Sequence, residues 1–390
     1  MQKIFRIRRA FWFLTLCATV FCVDSVSALE RYTIRESGKK VVCEGRIVEQ
    51  DTGGNVVLEE RDGRWRVIQS KDVIDHVTDD VAFEPYTRNE MKTRLKAEFP
   101  REFRIVETSR YLIVYDTTMT YAKWCGDLLE QLDTAFLEHW RGRGFELSEP
   151  EFPLVAVIFA DYDNFVRCTA AEVGPAVTQI SAFYNQNSNR IVFYDLTGLE
   201  VYGGVRGSNS KRIREIMSRP DSAKAVSTFV HEAAHQISYN CGLLKRHSAC
   251  PLWVSEGIAT LYETPDFNST KAWSSDIKVN RLRLNHFYRY FAERKPQEPA
   301  KKLVESDEPF QLVDNTRLLD SYATCWAMMY FFNARHSDKL VEYLKIISEK
   351  RPFVQETKED RLQDFESVFG DDWNELHREL LLYIGEIGGK

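Results

Sequence analysis

The residues best suited to chemistry are two histidines and a glutamate within five positions. His231, Glu232 and His235 form the pattern HExxH. In a helix, residues four apart lie on one face, so both imidazole rings can reach a single metal ion. Glu232 would then point to the open side of that ion, where water binds. Apolar residues recur at helical spacing around the motif, and Gly242 can end the predicted helix.

A catalytic zinc site needs a third protein ligand and leaves a fourth position open to water. A third histidine on the same stretch is absent, because Ser238 and Cys241 stand where glycine and histidine would be required. The third ligand is therefore expected further along the chain. The segment 251–259, PLWVSEGIA, offers Glu256, twenty-one residues after His235.

The pattern HExxH followed by W-x-x-E-G-x-A resembles the gluzincin metallopeptidases of the peptidase MA clan. It is similar to a bacterial branch called domain of unknown function 1570, and the resemblance covers about residues 105–385. It implies that His231, His235 and Glu256 bind one zinc ion per chain. It also implies a peptidase that cleaves peptide bonds through a zinc-bound water, with Glu232 as the general base.

The same resemblance bears on residues near the third ligand. Small residues at Gly257 and Ala259 would let the Glu256 helix approach the histidine helix closely. Thr260 stands where thermolysin-like enzymes have an aspartate that supports a ligand histidine, whereas Glu263 is placed as in the aminopeptidase-like gluzincins. The partners of the ligand histidines therefore stay open. The G-x-M-E-N motif of those aminopeptidases is absent, so aminopeptidase activity is not expected.

Two further features could take part in catalysis or binding. Tyr322 resembles the tyrosine that gluzincins place near the developing oxyanion, and the alternative is an aromatic residue in a core helix. The predicted strand 190–195 is either an edge that binds extended substrate by backbone pairing or an interior strand. The remaining histidines share no ligand spacing and are expected on the surface or in the core: His76, His139, His247, His286, His336 and His377.

The elements that must position these residues follow an α+β order, with strands first and helices after. Short alternating apolar runs with glycine turns predict a small antiparallel β module near the amino terminus. A mixed sheet and an active-site helix carrying HExxH are expected in the zincin-like part that follows. The predicted boundaries are a signal peptide at 1–28, the β module at 29–84, a linker with a short helix at 85–104, and a gluzincin-like hydrolase domain with a helical carboxyl-terminal part at 105–390.

The first residues have the layout of a secretory signal peptide. A basic segment precedes an apolar run of about fourteen residues, shorter than the roughly twenty that span a bilayer, and Val26-Ser27-Ala28 suits cleavage after Ala28. The protein is therefore expected to be exported, periplasmic or extracellular, with no membrane contact beyond the signal peptide. An uncleaved anchor is the alternative.

Charge and cysteine content limit the partners. Residues 1–28 carry a net charge of +3, so the formal charge changes from −6 for the whole chain to −9 for the mature chain. An acidic chain argues against nucleic acid as a partner. A peptide or protein substrate is the partner that the gluzincin resemblance implies. Six cysteines remain after cleavage, and Cys241 and Cys250 are predicted to form a disulfide that constrains Glu256. The sequence does not decide the oligomeric state.

Two rival functions share the same residues. A non-catalytic binding protein could keep zinc for structure, although an intact Glu232 and the lack of an evident fourth ligand argue against it. An amidase that acts on a cell-wall component would need the same metal and base. Nothing in these side chains distinguishes a peptide carbonyl from another acyl group.

Overall fold

The computed structural model describes residues 27–198, 209–220, 222–274, 277–311 and 314–389. In these residues the chain is a mixed α/β protein with two five-stranded sheets and twelve α-helices. The predicted signal peptide lies outside the described residues except for Ser27 and Ala28. No helix of the described ranges has both the length and the apolar character needed to cross a bilayer.

The first sheet is antiparallel throughout and has the strand order β4-β3-β2-β1-β5. Its strands are β1 (Ala28–Glu36), β2 (Lys39–Gln50), β3 (Val56–Glu60), β4 (Trp65–Ile68) and β5 (Val73–Ala82). Inward residues from four strands form a small separate core: Tyr32, Ile34, Cys43, Val56, Leu58 and Ile68. This part matches the predicted antiparallel module because alternate apolar positions of each strand lie on one face.

A short helix, α1 (Arg88–Glu98), follows between two prolines, as predicted. Thr87 begins it with a capping box, in which its side chain accepts from the backbone N–H of Glu90 and the Glu90 carboxylate accepts from the backbone N–H of Thr87. The cap fixes where the chain turns from the first sheet into the second.

The second sheet is mixed and has the strand order β6-β7-β8-β10-β9. Its strands are β6 (Arg104–Glu107), β7 (Tyr111–Tyr115), β8 (Leu154–Phe159), β9 (Ala182–Asn185) and β10 (Arg190–Tyr194). The three central strands are parallel, whereas β6 and β9 are antiparallel to their neighbours and form the edges. The central strands are buried over their whole length, as expected for strands covered on both faces.

The strand predicted at 190–195 is interior and not an edge. β10 pairs with β8 on one side and with β9 on the other. Arg190, the first residue of β10, is buried and forms a bidentate ion pair with Glu98. The edge strand beside β10 is β9, and the other edge of the sheet is β6.

Helices pack around this sheet and continue to the carboxyl end. After α2 (Met119–Arg141) and α3 (Tyr162–Val173), the helices that bear on the site are α5 (Ala223–Asn240), α6 (Leu252–Leu261), α7 (Arg281–Arg294) and α9 (Asn315–Arg335). The others are α4 (Ser210–Met217), α8 (Pro299–Glu305), α10 (Ser337–Glu349), α11 (Lys358–Phe369) and α12 (Trp373–Gly388). Helix α5 contacts β9, β10, α2 and α6, and α6 also contacts α9.

The expected role of Gly257 needs correction. A Cβ atom on Gly257 would lie 3.1 Å from Cβ of Met329 and 3.3 Å from the carbonyl oxygen of Cys325, both on α9. The missing side chain therefore lets α6 approach α9 and not the histidine helix. Helix α6, which carries Glu256, therefore packs on α9 through Gly257 and also contacts α5.

The predicted disulfide between Cys241 and Cys250 is absent, and both are free thiols. Their sulfur atoms lie in different surroundings. Cys241 ends α5 and its Sγ lies 3.8 Å from the carbonyl oxygen of Ser238, whereas Sγ of Cys250 lies 3.6 Å from the carbonyl oxygen of Pro251. Burial raises the pKa of each thiol to about 12. Bracketing one loop did not bring these two side chains together.

Candidate metal and catalytic site

Helix α5 holds the two histidines of HExxH side by side. His231 and His235 are both buried, and their ring centroids are 4.7 Å apart. The helix ends at Cys241, and Gly242 follows with a φ of 84°, a conformation that glycine adopts without strain. The predicted spacing of the motif on one helical face is the spacing observed.

Glu256 on α6 reaches the same point. Its Oε2 atom lies 2.9 Å from Nε2 of His231 and 3.5 Å from Nε2 of His235, and the two Nε2 atoms are 3.1 Å apart. All three side chains are buried, and the group could hold a metal ion. Packing of α6 against α5 thus joins residues that are twenty-one positions apart in the chain.

Glu263 supports the first histidine from the opposite side. Its Oε1 atom lies 3.0 Å from Nδ1 of His231. Arg283 donates two hydrogen bonds to the same carboxylate, at 2.9 and 2.6 Å, and Asn280 donates a third at 2.7 Å. Thr260 instead donates to the carbonyl oxygen of Gly257. Of the two positions left open by the sequence, Glu263 is the one that contacts a histidine of the cluster.

The cluster concentrates a positive charge between carboxylates. Burial alone would lower the pKa of His231, but hydrogen bonds to Glu256 and Glu263 outweigh it and raise that pKa to about 10. Burial would raise the pKa of Glu263, but the Arg283 charge and the His231 hydrogen bond lower it to about 2. The pKa of Glu256 is also lowered, chiefly by His235 against the effect of burial. The pocket therefore favours a cation at its centre.

Glu232 lies beside this cluster and outside it. Its Oε2 atom accepts a hydrogen bond of 2.8 Å from the backbone N–H of Tyr184 on β9. Burial raises the pKa of Glu232, and the nearby His231 and His235 partly offset that rise. Because β9 pairs with β10 on one side only, this contact shows that the unpaired side of β9 faces Glu232.

Tyr322 on α9 lies next to the cluster. Its ring centroid is 6.0 Å from that of His231, and the Arg283 guanidinium lies 5.0 Å from the centre of the Tyr322 ring. Both residues line the cavity that also contains Glu232 and Glu256. Tyr322 is therefore not only a core residue, because it also lines the cavity beside His231.

A cavity of about 1630 Å³ is lined by the three cluster residues, with Glu232, Glu263, Arg283, Tyr322 and Tyr184. Its lining residues come from β9, α5, α6, α7 and α9. The first sheet contributes Val67 on β4, and the connection from β4 to β5 contributes Gln69, Lys71 and Asp72. The volume exceeds the roughly 300–1,000 Å³ of small-molecule pockets and suits a longer ligand.

Two histidines outside the motif also line the cavity, but neither joins the cluster. Nε2 of His286 lies 2.8 Å from Asp320, and the His247 ring stacks on Phe353. His139 is buried elsewhere, 2.9 Å from the side-chain oxygen of Asn333. Among the described residues, the cluster that could hold a metal contains His231, His235 and Glu256.

Sequence reasoning missed Arg283 and the backbone of Tyr184. Arg283 is twenty residues from Glu263 and carries no recognisable motif, so only the packing of α7 brings it to the site. Tyr184 contributes its main-chain N–H, which every residue but proline possesses.

A family model described as "Protein of unknown function (DUF1570)" matches residues 225–354. The matched third of the chain runs from α5 to the loop after α10 and contains every side chain of the cluster, with Glu263, Arg283 and Tyr322. It leaves out the first sheet and strands β6 to β10. A comparison with curated proteins finds no match to this chain.

Proposed function

We propose that this chain is an exported zinc-dependent metallohydrolase of the gluzincin type, most simply a peptidase. The observation that carries the proposal is the convergence of His231, His235 and Glu256 at one buried point, with Glu232 beside it in a large cleft. The match to the DUF1570 family model is consistent with this function, but the description of that family gives no function.

The donor set fits zinc. Ligands about 2.0–2.1 Å from a tetrahedral zinc ion lie about 3.3 Å from one another, and the three observed separations are 2.9, 3.1 and 3.5 Å. Two imidazoles and a carboxylate are a usual catalytic set with one position left open. The Glu263 contact keeps the proton of neutral His231 on Nδ1, which frees Nε2 for the metal. When bound, zinc supplies Lewis acidity, polarising a carbonyl and acidifying water.

Glu232 is suited to take and return a proton. The N–H of Tyr184 orients its Oε2 atom, and burial raises its pKa towards the range in which a carboxylate acts as a general base. Tyr322, which lines the same cavity, can donate its hydroxyl to the oxygen that gains charge during attack. Glu232 would thus transfer the proton, and Tyr322 would stabilise the developing charge.

The shape of the cleft favours a peptide substrate. An extended peptide could pair with the unpaired side of β9, which faces Glu232, and so align a carbonyl with the site. The large cavity supports a polymer over a small amide. The amidase remains the second candidate, because the same base and ligands would serve another acyl group.

A purely structural zinc site is less well supported. Such sites are normally closed by four protein ligands. In the part of the chain that the structure describes, the cluster offers three, and the Cys241 thiol is engaged at the end of α5. Glu232 would also have no purpose in a closed site.

The test is proteolysis of a denatured protein library by wild type and Glu232→Gln, both loaded with zinc. We expect wild type to generate new peptide termini, and the variant to retain about one zinc per chain with turnover lower by roughly 10²- to 10⁴-fold. Cell-wall fragments are assayed in parallel. Equal cleavage by both proteins would remove Glu232 as the base, and cleavage of wall fragments alone would establish the amidase.

A further inference from the structure

The first sheet lies close to the catalytic glutamate. The backbone N–H of Trp65 on β4 donates a 2.7 Å hydrogen bond to the carbonyl oxygen of Asn187, in the turn between β9 and β10. Asn187 is three residues after Tyr184, whose N–H contacts Glu232. Because three residues span at most about 11 Å, β4 lies only a few substrate residues from the site.

A buried cation fixes this sheet against the rest of the molecule. Arg246, in the loop between α5 and α6, donates to the carbonyl oxygens of Gly63 at 2.7 Å and Gln186 at 3.1 Å. Its guanidinium also pairs with Glu59, which is equally buried, and lies 4.6 Å from the centre of the Trp65 ring. A buried pair of this kind is costly to open, so the sheet is held in one position.

An apolar surface is left open at this junction. Val67 and Val354 are large hydrophobic residues with 45% and 48% of their surface exposed, and both line the cavity of the metal cluster. Trp65 and Val67 lie on the same face of β4, since strand residues two apart share a face. Trp65 packs in turn against His247 and Phe353, beside Val354. The contact between Trp65 and Phe353 therefore brings together the two chain segments that carry the valines.

We propose that Val67 and Val354 form an apolar subsite of the cleft, which binds an aliphatic side chain of the substrate a few residues from the bond that is cut. The first sheet then helps to select the substrate side chain and is not a separate binding module. This inference rests on the proposed peptidase function. Val67, in the first sheet, lies outside the segment matching DUF1570, whereas Val354 is the last residue of that segment.

An aliphatic occupant follows from the surface itself. The two valines present only methyl groups to the cavity, and burying them against a hydrocarbon side chain removes apolar area from water. A charged side chain at the same place would lose hydration without gaining a partner from either valine. Because both valines line the same cavity as Glu232, a long ligand that reaches Glu232 can also cover them.

The test uses dye-labelled ten-residue peptides in which a single leucine is moved through a serine- and glycine-rich sequence. Binding is followed by fluorescence anisotropy with zinc-loaded protein that carries Glu232→Gln. Cleavage sites are mapped by mass spectrometry with protein in which Glu232 is intact. Val67→Ser and Val354→Ser are compared with Val42→Ser. Val42 is a matched control because it is 59% exposed on β2 and lies outside the cavity.

We expect tightest binding when leucine occupies one particular position relative to the cut. Val67→Ser and Val354→Ser should each reduce that preference by roughly three- to tenfold, the effect of replacing two methyl groups by a hydroxyl in a partly open pocket, and Val42→Ser should leave it unchanged. Val67→Lys should shift the preference from leucine towards glutamate. Merely structural damage would not produce such a reversal.

The outcomes separate the two proposals. If wild type cleaves peptides and Glu232→Gln binds them, but the Val67 and Val354 variants keep the preference of the Val42 control, the apolar subsite is wrong and the peptidase stands. If no peptide is bound or cleaved, both proposals are overturned.

Discussion

Nδ1 of His231 lies 3.0 Å from Oε1 of Glu263, so a carboxylate outside the ligand cluster holds the ring of the first histidine. The same carboxylate receives two hydrogen bonds from Arg283, which lies over the Tyr322 ring. One buried network therefore joins a ligand, its support and the proposed oxyanion donor. Disturbing Glu263 should change metal binding without removing any ligand.

Glu263→Gln should weaken zinc binding by about 10- to 100-fold, the usual effect of losing a partner of a ligand histidine. The amide keeps the shape of the side chain but leaves the charge of Arg283 without its carboxylate. Affinity is measured by competition with a chromophoric chelator. Glu308→Gln is the control, since Glu308 lines the same cavity but is absent from the cluster. Equal affinity in both variants would contradict a supporting role.

Glu256→Ala should cost more metal affinity than Glu263→Gln, because it removes a ligand and not the partner of one. Activity should fall with zinc content and recover in part at high zinc concentration. Elemental analysis beside peptide hydrolysis on the same preparations measures both, with Glu308→Ala as control. A Glu256→Ala protein that retained one tightly bound zinc per chain would exclude Glu256 as a ligand.

Tyr322→Phe should lower kcat by about 10²- to 10³-fold and leave KM nearly unchanged, if the hydroxyl stabilises charge only in the transition state. The phenylalanine ring keeps the packing against His231 and Arg283. Tyr330→Phe on the same helix is the matched control, because its hydroxyl lies near the carbonyl oxygen of Ile277 and outside the cavity. Similar kinetics for the two variants would make Tyr322 a packing residue only.

The stability of the fold should fall below pH 6.5 through His139. Burial, with a smaller contribution from the charge of Arg143, lowers the pKa of His139 to about 3 against the hydrogen bond with Asn333. Above pH 6.5 neither state binds this proton, so the group contributes nothing. Between pH 6.5 and 3 the unfolded chain binds it and the folded chain does not, which costs up to about 1.4 kcal/mol per pH unit.

His139→Gln should therefore reduce the slope of unfolding free energy against pH over that window. Urea unfolding of wild type and variant between pH 7 and 4 measures the difference. Thr134→Ser, a substitution at an exposed position of the same helix that removes no titratable group, is the control and should preserve the wild-type slope. Parallel curves for His139→Gln and wild type would show that the buried histidine is not responsible.

The sequence by itself determined the local parts of the site. HExxH specifies its own geometry, because residues four apart in a helix necessarily share a face, and the alternating runs before residue 83 specified an antiparallel sheet. Glu256 was reached through a resemblance in motif and not from spacing, since nothing local fixes how α6 lies against α5. For the same reason two expectations failed: Gly257 faces α9, and Cys241 and Cys250 are free thiols, each near a different carbonyl oxygen.

Only the tertiary structure decided which distant groups complete the site. Glu263, Arg283 and the N–H of Tyr184 come from separate elements, and their contacts depend on how helices and a sheet edge pack over long loops. The first sheet is the clearest case, because its sequence predicts only a small β module. Its place in the cleft depends on the buried Arg246, whose partners Glu59 and Gln186 lie far from it in the chain. Periodicity encodes local conformation, whereas such contacts follow from packing of the whole chain.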